Sequence, residues 1–265
     1  MLKDHSTSRR SPWLAAICLA GGIGALAAHA SAAEVLVDPA SMGNWVFQQD
    51  SGSTGAGSFV TGPGTPPLGT GSAQLSETNS PSSEILFNYL TNDGTALSSI
   101  SALSYSEYIV SNSGDPALAP SLAFNVNINS STTTYQGRLT YEPYFTNTLT
   151  AGTWQTWNTM TGADWWFSSA SFNNGCTQTN PCTWAQVLAD YPSVVINNNF
   201  GGFGFKVGSG WPSFVGDVDN LVMTVSGATT TYNFDPTPTP EPASLVLLGT
   251  GLLGFAALRR RRPNA

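Results

Sequence analysis

Between Leu122 and Asn129 the chain reads Leu-Ala-Phe-Asn-Val-Asn-Ile-Asn. Leu122, Phe124, Val126 and Ile128 share one face of an extended backbone, and three asparagines share the other. A period of two marks a strand with one side on a core and the other toward water, because successive side chains leave the pleat in opposite directions. Segments of similar character run over 34–38, 44–49, 84–90, 103–110, 136–145, 153–158, 203–207, 214–225 and 230–234, with Gly, Pro, Asn and Ser clusters between them. About ten strands with no strand–helix–strand rhythm predict an all-β fold, an antiparallel sandwich. The stretch 51–72, rich in Gly, Ser and Pro, reads as a long flexible loop. A single short helix is expected over 184–190. Thr183 and Gln186 have the spacing of a capping box, and Pro192 lies just beyond the end.

Charge excludes several functions. Residues 34–240 hold 14 acids but only Arg138 and Lys206 as cations, a formal balance of −12. Neutralising phosphates requires clustered Lys and Arg, so no nucleic acid is expected as a partner. Both histidines, His5 and His29, stand near the N-terminus. The remainder therefore has no Ser-His-Asp or Cys-His chemistry and no His-ligated metal. Cys176 and Cys182, in Cys-Thr-Gln-Thr-Asn-Pro-Cys, are expected to form a disulfide closing a small loop.

The ends read as processing signals. Lys3, Arg9 and Arg10 precede an apolar run from Trp13 to Ala28, followed by Ala28-His29-Ala30 and Ser31-Ala32-Ala33. Residues 1–33 are thus expected to be a signal peptide, with signal peptidase cutting after Ala33 or Ala30. Residues 34–235 form the exported domain, and 236–239 a semi-rigid Pro/Thr linker. Pro240-Glu241-Pro242 follows, then an apolar stretch, Ala243–Leu258, and then Arg259, Arg260, Arg261 and Arg262. Sixteen residues rise about 24 Å as a helix, short of a hydrocarbon core of about 30 Å. The arginines can snorkel, and positive charge stays cytoplasmic, so a single transmembrane helix with the domain outside is expected.

This tail over 240–262 resembles the PEP-CTERM sorting signal of exosortase substrates. The resemblance rests on the Pro-Glu-Pro triplet, the apolar span and the basic terminus together. It implies an exosortase-type membrane enzyme as partner, cleavage near Pro240–Pro242, and delivery from the inner membrane to the cell surface or extracellular matrix. Proteins of this kind usually occur in Gram-negative bacteria that make exopolysaccharide and biofilm matrix.

Within the domain, Val218-Asp219-Asn220-Leu221 resembles a late strand of jelly-roll carbohydrate-binding modules. Asp217 and Asp219 share a strand face and, with Asp38, are candidate ligands for a calcium ion, a hard cation that takes six to eight oxygens. The other reading is ordinary turn and strand-start chemistry. Trp154, Trp157, Trp165 and Trp166 are candidate stacking residues for a sugar ring. Adjacent Trp165 and Trp166 point to opposite faces of a strand, so one belongs to a core and the other needs a cover or a ligand. Glu77, Glu84, Glu107 and Glu142 are the acids that could form a glycosidase pair, but no Glu-x-Asp-x-Glu arrangement is present. Arg138 shares a strand face with Glu142 and reads as an offset to local acidic charge. The expected function is a non-catalytic exported protein that binds polysaccharide. A secreted glycoside hydrolase and a purely structural adhesin are the alternatives.

Overall fold

The computed structural model describes residues 32–79, 81–129, 135–162, 164–169, 174–197 and 201–236. The cleavage signal up to residue 31, the sorting triplet, the apolar span and the arginine cluster lie outside the described residues. Among the described residues no helix is long and apolar enough to cross a membrane.

Two sheets face each other. The first contains β1 (Ala33–Val37), β3 (Ala56–Thr61), β4 (Gly71–Glu77), β6 (Ile100–Ser111), β9 (Trp154–Asn158), β13 (Phe214–Val225) and β14 (Ala228–Phe234). The second contains β2 (Trp45–Ser51), β5 (Ser83–Asn88), β7 (Ser121–Asn127), β8 (Arg138–Tyr141), β10 (Trp165–Phe167), β11 (Val195–Ile196) and β12 (Phe203–Gly208). The all-β sandwich is as the alternation predicted, with one departure. β1 pairs with β14 in parallel, Val37 opposite Phe234, because the whole domain lies between them as a crossover.

The centre of the first sheet is β13. Its first half pairs with β4 and its second half with β14, while β6 runs along the opposite edge. The change of partner falls at Asn220, whose φ is +52°, and the register against β6 shifts between Asp219 and Val222. Asparagine tolerates this left-handed backbone better than most residues, which makes it fit for a bulge.

The core forms where alternating faces meet. Tyr105 and Ile109 of β6 and Phe214, Val218 and Leu221 of β13 oppose Leu86, Leu122, Phe124 and Phe205 of the second sheet, all buried. Rings bridge the two layers: Tyr105 to Phe205 at 5.2 Å, and Trp45 of β2 to Phe234 of β14 at 5.0 Å. Each such side chain contributes about 1.5–3 kcal/mol by leaving water.

Three expectations need correction. The strand read from Leu122 is not half-solvated: β7 is buried on both faces, and its Asn125 and Asn127 are covered, Asn125 accepting from Arg138 Nε. The stretch 51–72 is not one loop, since β3 lies within it and pairs along its length with β4. Composition hid this strand: it is an edge strand, and its Gly57 is needed because the Phe47 ring of the other sheet occupies the space a Cβ would take. The strand expected over 136–145 stops at Tyr141, and Pro143–Phe145 forms a 3₁₀ turn, as a proline at that point dictates. The helix α1 (Trp184–Asp190) has the expected capping box: Thr183 accepts from the Gln186 N–H while the Gln186 side chain accepts from the Thr183 N–H.

Candidate functional site

On the outer face of the second sheet a cleft of about 420 Å³ opens. Strand alternation supplies its floor. Leu139 and Tyr141 of β8 point into the core, so Arg138, Thr140 and Glu142 point out. Trp165 of β10 is fully buried, so Trp166 points out and lines the cleft. Beside it, Ser121 of β7 and Lys206 of β12 extend the floor, and Asp50 of β2 stands at the rim.

Charge is concentrated here. Arg138 and Lys206, the two cations of residues 34–240, converge on Asp50. The Arg138 Nη atoms donate to its two oxygens at 2.9 and 3.1 Å, Arg138 Nε donates to Asn125 Oδ1 at 3.1 Å, and Lys206 Nζ donates to the same carboxylate. Burial pushes the Asp50 carboxyl up, but the hydrogen bonds and charges of Arg138 and Lys206 outweigh it and hold the group well below the usual carboxylate range. Arg138 also lies 5.1 Å above the Phe87 ring, roofing a small apolar cluster of Ile85, Phe87 and Ala123 on this outer face. Arg138 thus offsets acidic charge as expected, through Asp50 rather than Glu142. Four residues along a strand is about 13 Å, too far for the strand-mates to pair.

The opposite wall is held by the Cys176–Cys182 disulfide, which is formed. Trp165 and Cys182 exchange two backbone hydrogen bonds at 3.0 and 2.7 Å, and the Phe167 N–H donates to Cys176 O at 3.0 Å. The bridged loop is therefore stitched to β10. From it Gln178 reaches into the cleft and donates to Glu142 Oε2 at 3.3 Å. Burial raises the Glu142 pKa, and Gln178 opposes the rise. The Trp166 indole N–H sits close to Glu142 but has no hydrogen bond of regular geometry. Ser209 and half-buried Trp211 form the third side.

Other candidates lie elsewhere. Trp154 and Trp157 belong to β9 of the first sheet, so the four tryptophans do not make one platform. Trp154 packs on Tyr108 at 5.6 Å and donates to Pro63 O, and Trp157 is buried. Asp217 and Asp219 share a buried face of β13, where protein donors reach them. Ser72 Oγ donates to Asp217 at 3.0 Å, and the N–H groups of Leu68 and Phe234 donate to Asp219 at 2.9 and 3.1 Å. Asp38 caps its own turn, accepting from Ala40 and Ser41 at 2.7 Å. Among the described residues the close group of three metal-ligand side chains is Cys176, Cys182 and Asp190, and its two sulfurs are consumed by the disulfide. Glu77, Glu84 and Glu107 are buried, and none of them lines the cleft. Asp50, Gln178 and Trp211 carried no local signal in the sequence, since they reach the cleft from three distant segments.

The fold and this site define a β-sandwich domain with an open, polar, aromatic-walled groove on one sheet. Residues 238–262 match the family model described as the PEP-CTERM protein-sorting motif. The chain carries that motif, the mark of an exported, surface-sorted protein processed by an exosortase. Among solved structures it is similar to the Family 11 carbohydrate-binding module of the cellulosomal cellulase Lic26A-Cel5E of Clostridium thermocellum. The identity is 12%, the match covers 71% of this chain and 91% of that one, and the TM-score is 0.42. No curated protein matches the chain.

Proposed function

We propose that the domain over 34–235 is a non-catalytic polysaccharide-binding module displayed on the cell surface or in the extracellular matrix. The observation that carries this reading is the cleft. It combines an indole wall, Trp166, with hydrogen-bonding groups on the remaining sides, and its volume of about 420 Å³ is in the range of small-ligand sites. An indole face suits the C–H face of a pyranose, and Asp50, Thr140, Glu142 and Gln178 suit its hydroxyls. In this reading export begins with signal peptidase cutting near Ala33. The Pro/Thr linker 236–239 then spaces the domain from a transient membrane helix, and an exosortase-type enzyme removes the tail near Pro240–Pro242.

A glycoside hydrolase is less well supported. Glu142 is the sole glutamate of the four candidates at the cleft, and the other acid there, Asp50, is committed to two cations. A hydrolytic pair needs one free carboxylate beside one protonated acid. A glycan array that includes the producing cell's own exopolysaccharide tests the proposal. Binding without turnover is the expected result. Product release abolished by Glu142→Gln would establish an enzyme, and no binding at all would leave a structural adhesin.

A further inference from the structure

The charge arrangement at the cleft says which class of polysaccharide it takes. This step rests on the polysaccharide-binding reading of the same site. An acidic chain, with a carboxylate on many of its sugars, would look for free cations. Residues 34–240 have two, Arg138 and Lys206, and both are at the cleft. Neither is free. Arg138 spends its fork on Asp50 and its Nε on Asn125, while Lys206 donates to Asp50 and, at 3.1 Å, to Ser83 Oγ. With Glu142 on the opposite wall, two carboxylates already stand against two cations. A uronate entering between Asp50 and Glu142 would be a third carboxylate in the same confined space.

Long-range charge works in the same direction. Residues 34–240 hold 14 acids against two cations, an excess that stays negative even where burial keeps some of those acids protonated, and it repels a polyanion before contact, more strongly as salt is lowered. What the lining does offer is matched to uncharged hydroxyls. Asp50 and Glu142 accept hydrogen bonds, and the Thr140, Ser209 and Gln178 side chains both donate and accept them. We infer that the cleft binds a neutral polysaccharide and rejects uronate-containing ones.

The test uses the protein recovered from producing cells. Binding is titrated calorimetrically against neutral polymers (barley β-glucan, dextran, galactomannan) and against polygalacturonate and alginate, at 20 and 300 mM NaCl. The expected result is affinity for at least one neutral polymer, changing less than twofold with salt, and at least tenfold weaker binding to both polyuronates. Trp166→Ala should weaken the neutral binding at least tenfold. Gln178→Ala, on the exposed bridged loop, gives a second reading if the first variant does not fold. Preferential binding of polyuronates that fades as salt rises would overturn this inference and leave the polysaccharide-binding reading in place. Binding to neither class at either salt would overturn both.

Discussion

Trp165 and Trp166 are consecutive in β10 yet belong to different environments. Trp165 is fully buried between the sheets, with its indole donating to Thr159 O at 2.6 Å, and Trp166 lines the open cleft on the outer face. The two positions therefore separate stability from binding. Trp165→Ala is expected to cost about 3–5 kcal/mol, the range for emptying an aromatic site in a packed core. Trp166→Ala should leave the denaturation midpoint nearly unchanged and abolish most sugar binding. Chemical denaturation and glycan titration of both variants check this, and equal loss of stability in the two would contradict it.

The buried carboxylates set an unusual pH dependence. Burial raises Asp217 and Asp219 to about 7, against opposing hydrogen bonds, raises Glu84 to about 7, and raises Glu107 to about 8, the last opposed by the Trp157 indole. In the unfolded chain such groups titrate near 4. The folded state thus holds more protons, so the stability these groups contribute is complete below pH 4 and lost as pH rises through 7 to 8. Asp50 acts in the opposite sense, and its contribution is lost only on strong acidification. Thermal midpoints should be highest near pH 4 and fall between pH 4 and 8. The slope should be shallower in Asp217→Asn/Asp219→Asn, and a midpoint that climbs toward pH 9 would refute this assignment.

The disulfide is expected to matter more for the cleft than its loop length suggests. A loop this small removes roughly 2 kcal/mol of unfolded-chain entropy. The bridge also holds Gln178 against Glu142 and pairs the loop with β10. A Cys176→Ser/Cys182→Ser protein should remain folded at 25 °C but bind sugar several-fold more weakly. Unaltered affinity in that double variant would show that the loop takes no part in the site.

Asp217 and Asp219 already accept from protein donors, and Asp38 is turned to its own backbone. Treatment with EDTA is accordingly expected to leave the thermal midpoint within about 1 °C, since carboxylates already engaged with protein donors are poorer ligands for a cation that needs six or more oxygens. A fall of several degrees, restored by calcium, would assign the ion to this pair.

Processing has a direct signature. The intact mass of protein collected from the cell surface should correspond to a chain starting at Ser31 or Glu34 and ending near Pro240–Pro242, apart from any attached group. Retention of Arg259–Arg262 in that material would rule out removal of the tail.

The alternation of Leu122–Asn129, the Thr183/Gln186 capping box, the cysteine spacing and the three-part tail are local patterns. The sequence by itself determined the strand-rich class, the helix, the disulfide and the sorting motif, because each depends on residues a few positions apart. It also placed Trp165 and Trp166 on opposite faces, a consequence of the pleat alone. The tertiary structure alone decided which face met a core and which met solvent. It alone brought Asp50, Arg138 and Lys206 together across 156 residues, and separated Trp154 and Trp157 onto the other sheet. Strand order and register govern those meetings, and they are set by packing both sheets into one core rather than by any local preference.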